Sequence, residues 1–133
     1  METQRAVLRP VVLVVDEDET VRNSLKRSLE TQGFAVRGCT DGAELLNTGE
    51  LPGTDCLVVD YNLTDLTGLE VLGELRDRQV SVPAILITRR PNQALRDRAA
   101  AAGARLVEKP LLGDALAASI RDVLAEHPRP SLA

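Results

Sequence analysis

The chain has 133 residues, 44% of them hydrophobic, enough for one buried core and too few for two large domains. With 16 basic side chains against 20 acidic ones the net charge is -4, which excludes a broad attraction for nucleic acid or anionic lipid. The single histidine, His127, argues against histidine-based zinc sites and Ser-His-Asp catalysis, and aromatics at 2%, essentially Phe34 and Tyr61, leave no stacking platform for single-stranded nucleic acid.

Met1 to Pro10 is mixed and charged, without the apolar stretch of a signal peptide, and no apolar run is long enough to span a bilayer. A cytoplasmic protein without membrane contact is expected. Val11-Val12-Leu13-Val14-Val15 is a continuous β-branched run, the pattern of a strand covered on both faces, and reads as the central strand of a parallel sheet. From Thr20, a candidate N-cap, Val21, Leu25 and Leu29 recur every four residues, and Gly33 supplies a stop. Ala35 to Cys39 reads as a strand, Asp41 to Thr48 as a short helix, Gly49 to Thr54 as a loop and Cys56 to Val59 as a second buried strand. A helix follows through Leu69, Leu72 and Leu75, then a strand from Ala84 to Ile87 and an alanine-rich helix from about Asn92 to Ala102, ended by Gly103. The last strand, Arg105 to Glu108, precedes a helix with Leu112, Leu116, Ile120 and Leu124 at intervals of four. The domain is expected over residues 11–126, between an N-terminal tail at 1–10 and a disordered tail or linker at 127–133. Cys39 and Cys56 fall at the end of one strand and the start of another, opposite edges of a parallel sheet, so both read as buried packing thiols rather than a disulfide.

Five strands alternating with five helices imply a doubly wound α/β sandwich, in which ligands bind beyond the carboxyl ends of the strands. The first strand delivers Asp16-Glu17-Asp18-Glu19 to that edge and the third delivers Asp60. Such carboxylates repel one another, and a hard divalent cation resolves the repulsion; magnesium takes a few carboxylate oxygens together with waters and phosphate oxygens. The fourth strand adds the hydroxyl of Thr88 and the fifth the ammonium of Lys109. Carboxylate, cation, hydroxyl and lysine together suit the receipt of a phosphoryl group.

The segments VVDEDETVR, VVDYNLTDLTGLEVL, ILIT and VEKP, in that order and spacing, resemble the motifs of the response-regulator receiver family over about Val11 to Ala125. The resemblance implies a flavodoxin-like, CheY-like (βα)5 fold with strand order 2-1-3-4-5. It implies that Asp60 is the phosphoacceptor, that Asp16 and Glu17 are the acidic pair holding Mg2+, and that the backbone carbonyl of Asn62 is the third protein ligand. Thr88 matches the hydroxyl that follows the phosphoryl group on activation, Lys109 the lysine that contacts it, and Pro110 the proline that follows through a cis peptide bond. The implied phosphodonor is a sensor histidine kinase or a histidine phosphotransfer protein. The chain would then be a signalling switch that assists its own phosphorylation and dephosphorylation, with a homodimer through the fourth-helix to fifth-helix face as a further expectation.

Three positions depart from the family pattern. Leu106 stands where an aromatic switch residue is usual, which removes the aromatic part of the usual coupling. Arg89, followed by Arg90, replaces a small residue after Thr88 and is expected to shield or contact the phosphoryl group. Thr64 stands where proline is common, a change expected to loosen the turn before Gly68.

Simpler readings exist for each feature. Asp16 to Glu19 also fits a solvated, helix-capping acidic turn, Lys109 a surface lysine, Thr88 a backbone-satisfied strand residue and Leu106 a core residue. Arg89, Arg90, Arg96 and Arg98 fit a solvated helix face. Two alternatives from other classes are a pseudo-receiver, acting as a constitutive protein-interaction module, and a flavodoxin-like cofactor binder. The second lacks a glycine-rich phosphate loop and aromatics to sandwich a ring.

Overall fold

The structure is a computed structural model and describes residues 9–109 and 114–127. The expectations placed on Pro110, on Leu112 and on the outer parts of both tails lie outside the described residues.

Five strands form one parallel sheet: β1 (Val11–Val15), β2 (Ala35–Cys39), β3 (Cys56–Asp60), β4 (Ala84–Thr88) and β5 (Ala104–Glu108), in the order β2-β1-β3-β4-β5. Between and after them run α1 (Glu19–Thr31), α2 (Gly42–Asn47), α3 (Gly68–Asp77), α4 (Gln93–Ala101) and α5 (Ala115–Glu126). The fold class and strand order expected from the sequence are those observed. One detail differs: β3, not β1, is the middle strand. Both have unbroken apolar runs because both are covered on two faces, so the run alone does not say which is central.

The side-chain period of two divides the core. Leu13 and Val15 of β1, Leu57 and Val59 of β3 and Leu86 of β4 pack with Leu45 of α2, Leu72 and Leu75 of α3, and Leu95 and Ala99 of α4. The intervening Val12, Val14, Val58, Ile85 and Ile87 face the other way, onto Leu29 of α1 and Leu116, Ile120 and Val123 of α5. Three helices thus cover one face and two the other. Cys39 and Cys56 are free buried thiols, each pushed up to about 12, first by burial and then by nearby carboxylates such as Glu44 for Cys39 and Asp55 for Cys56.

Helix ends follow local chemistry. Asp18, not Thr20, caps α1: its carboxylate accepts from the amides of Thr20 at 2.9 Å and Val21 at 3.2 Å. Asp at that place, followed by Glu19 in the first turn, is the better cap because an anion complements the helix dipole. Gly33 follows α1 with φ +99°, and Gly103 follows α4 with φ +72°, conformations that glycine adopts without strain. The segment expected to be plain loop at Gly49 to Thr54 contains a turn of 3-10 helix, Leu51–Gly53, whose Leu51 is buried.

Candidate functional site

Strand register brings the acids together. Val15 of β1 lies beside Val59 of β3, so the next residues, Asp16 and Asp60, leave the sheet as neighbours. Both are almost fully buried, at 4% and 6% exposure. Asp16 is fixed by its own amide, which donates to the Cys39 carbonyl at 3.1 Å, and by Arg22, which donates to the Asp16 carbonyl at 2.7 Å. Burial pushes the Asp16 carboxyl above its ordinary value; the Asp18 amide pulls it down, Asp60 pushes it up again and Lys109 opposes.

The counter-charge comes from the far edge. Thr88 pairs with Glu108 in the β4–β5 ladder, and the Lys109 amide donates to the Thr88 carbonyl at 2.8 Å, so Lys109 emerges directly after Thr88's partner. Its Nζ donates to Asp60 Oδ2 at 2.9 Å and lies 3.9 Å from Asp16 Oδ2. One ammonium therefore serves two carboxylates, which leaves the pocket one negative charge in excess. Thr88 itself is buried, and its hydroxyl accepts from the Arg90 amide at 3.3 Å.

The loop after β3 is held at several points. Asn62 donates its amide to Asp60 Oδ1 at 3.0 Å. The Gly68 amide donates to the Tyr61 carbonyl at 2.7 Å, drawing the start of α3 so close that a Cβ at Gly68 would stand 2.5 Å from the Asp60 carbonyl oxygen. The Thr64 hydroxyl donates to the Glu17 carboxylate. The turn expected to be loosened by Thr64 is thus tied to the acid that follows Asp16.

Of the residues singled out from the sequence, Asp16, Asp60 and Lys109 meet directly, with Thr88 at the same edge and Asn62 against Asp60. Glu17 is exposed and engaged with Thr64. Arg89 and Arg90 are exposed and, with Thr88, Tyr61 and Asn62, line a cleft of about 530 Å³. Leu106 is only half-buried, not a full core residue, because β5 is an edge strand; it packs on the α2–α4 side of the core and borders a groove between α4 and α5.

Asp65 was not found from sequence. Its carboxylate accepts from the Gly42 amide at 3.1 Å and the Ala43 amide at 2.9 Å, clamping the loop after β3 onto the start of α2. No local pattern announces a contact between segments so far apart in the chain.

Among the described residues, no three histidine, cysteine or acidic side chains gather as a ready-made metal cage. The donor set still fits magnesium, which keeps several waters and asks for only one or two protein carboxylates. The raised Asp16 carboxyl and its buried neighbour Asp60 are hard oxygen donors in a pocket with surplus negative charge.

The family model described as response regulator receiver domain matches residues 12–121, and the chain belongs to that family. Curated relatives include the response regulator MprA of Mycobacterium leprae (strain TN) and of Mycobacterium tuberculosis (strain ATCC 25618 / H37Rv). Each is 37% identical over 114 residues, covering 85% of this chain and 50% of the relative. The chain thus spans about half the length of these relatives. Among solved structures, the Vibrio cholerae chemotaxis protein CheY4 superposes with a TM-score of 0.80 at 24% identity, over 87% of this chain and 99% of that one. Response regulator StyR gives a TM-score of 0.80 at 29% identity, over 89% of this chain and 60% of that one. Receiver domains are signalling switches of two-component systems, work with histidine kinase partners and generally use Mg2+ at an acidic phosphorylation site.

Proposed function

We propose that this receiver accepts a phosphoryl group on Asp60 from a phosphohistidine of a sensor kinase or phosphotransfer protein, within a cytoplasmic module spanning residues 11–126. The observation that carries the reading is the Lys109 ammonium 2.9 Å from Asp60 and 3.9 Å from Asp16 at the end of the sheet. In the transfer, an Asp60 carboxylate oxygen forms a bond to phosphorus, the phosphorus–nitrogen bond of the donor breaks, and the leaving imidazole takes up a proton. Asp16, Glu17, Asp60 and the backbone carbonyl of Asn62 would hold Mg2+, which when bound supplies charge neutralisation for the phosphoryl oxygens.

Each side chain has a part. Lys109 exchanges its bond to Asp60 Oδ2 for one to an incoming phosphoryl oxygen, so the ammonium is already positioned before transfer. Thr88, released from the Arg90 amide, donates its hydroxyl to another of those oxygens. That movement loosens the start of α4 and biases the α4–α5 surface, with Leu106 in its groove, between two packings. A changed affinity for a protein partner, or for a second copy through that face, is the output. Arg89 shields the aspartyl phosphate from water.

Incubation of the purified chain with phosphoramidate and Mg2+ tests this directly. The expected result is a mass gain of one phosphoryl group, lost in Asp60→Asn and on chelation by EDTA; no gain in the wild type overturns the reading. For Arg89, the expected outcome is faster loss of phosphate from Arg89→Ala, by about tenfold if one charge-assisted contact is removed. Equal hydrolysis rates would dispose of the shielding role.

A further inference from the structure

The cleft beside Thr88 has a charge pattern of which the phosphoacceptor reading uses only Arg89. It lies between the loop after β3 and the start of α4 and encloses about 530 Å³, and every charged residue lining it is an arginine: Arg89, Arg90 and Arg98. Among the described residues no carboxylate lines it, although the chain as a whole carries a charge of -4.

Several arginines elsewhere are occupied, whereas Arg9, Arg27 and Arg96 stand singly on the surface without a side-chain partner among the described residues. Arg78 pairs with Glu74, Arg105 with Asp122 and Glu126, Arg22 holds the Asp16 carbonyl, and Arg76 donates to the carbonyls of Val80 and Ala102. The three cleft guanidiniums are exposed and, among the described residues, make no ion pair or side-chain hydrogen bond. Asn92 spends its side chain capping α4 at the Leu95 amide, and the carboxylate of Asp97 accepts from Gln93 and makes no ion pair with the three arginines among the described residues.

We propose that this cleft docks an acidic segment of a protein partner, its carboxylates paired with Arg89, Arg90 and Arg98 and an apolar side chain set against Tyr61 and Leu95. Guanidinium forks match carboxylates bidentately, and three of them on two chain segments ask for several anionic groups along a short stretch, not one ion. The partly exposed ring of Tyr61 and the edge of Leu95 also line the cleft, apolar contacts that suit a peptide better than a bare phosphate. A nucleic acid strand is disfavoured, because the net charge of -4 repels a long polyanion. The docking is a property of the unphosphorylated chain, since phosphorylation of Asp60 as proposed above would draw Arg89 to the phosphoryl group and loosen the start of α4.

The test uses the full chain and a fluorescein-labelled octapeptide of alternating glutamate and leucine, followed by anisotropy. Binding is expected, weakening with added salt and absent for the glutamine–leucine counterpart. Arg90→Ala and Arg98→Ala should each weaken it about threefold to fivefold, as removal of an exposed ion pair predicts. Arg78→Ala, on α3, should leave it unchanged, and so should Asp60→Asn, which separates this proposal from the phosphoacceptor reading. Near-native thermal unfolding of the variants guards against misfolding. No binding, or undiminished binding by the Arg90→Ala/Arg98→Ala double variant, overturns the proposal. Tighter binding of pyrophosphate or of a single-stranded oligonucleotide than of the peptide overturns it in favour of those ligands.

Discussion

Gly68 shows how one missing side chain shapes the strand that ends in Asp60. A Cβ there would meet the Asp60 carbonyl oxygen at 2.5 Å and Leu86 Cδ1 at 2.7 Å, and the first of these is backbone that cannot rotate away. Gly68→Ala is therefore expected to cost about 1–3 kcal/mol by overpacking and to slow phosphorylation by shifting Asp60. Gly73, in the middle of the same helix, meets nothing within 4 Å, so Gly73→Ala should instead stabilise by about 0.5–1 kcal/mol. Urea denaturation of the two variants reads the contrast. A Gly68→Ala protein as stable as the wild type would mean that the α3 start is not locked against the acceptor strand.

At the scale of elements, α2 is the one that needs outside help, since its six residues are too few to persist alone. Asp41 caps it by accepting from the Glu44 amide at 2.9 Å, Glu44 reaches back to the Thr40 amide at 2.7 Å, and Asp65 reaches in from the loop after β3. Desolvation raises the Asp65 pKa, but the amides of Ala43, Gly42 and Leu66, together with its own, outweigh it and hold the carboxyl below its ordinary 3.8. A depressed folded pKa gives stability that is present above the unfolded value and is lost as pH falls through the folded one. Wild type should exceed Asp65→Asn in stability at neutral pH, with the gap closing below about pH 3.8. Paired urea titrations at both pH values check it, and a gap independent of pH would place the effect in packing rather than charge. The same clamp, with Thr64 on Glu17, fixes the loop that carries Asn62, so Asp65→Asn is also expected to weaken Mg2+ binding.

Over the whole molecule, what the sequence made legible was whatever repeats locally. Unbroken apolar runs identified β1, β3 and β4, glycines marked the ends of α1 and α4, and the order of acidic, hydroxyl and basic residues at strand ends located Asp16, Asp60, Thr88 and Lys109 before any coordinates. What stayed hidden depends on which loops become neighbours once the sheet has formed. The Asp65 clamp, the Thr64–Glu17 contact and the half-exposure of Leu106 on an edge strand are of that kind. At the start of α1 the local signal is ambiguous between Asp18 and Thr20, and an acid just before Glu19 is the stronger cap of the two.

Lys109 and Asp60 stand 49 residues apart and meet only because β4 has been laid down between their strands. In a polypeptide growing from its N-terminus the acids Asp16 and Asp60 are therefore made well before the ammonium that balances them, and their mutual repulsion stays uncompensated until β5 is laid against β4. A copy cut short before β5 would carry both acids with no Lys109 between them.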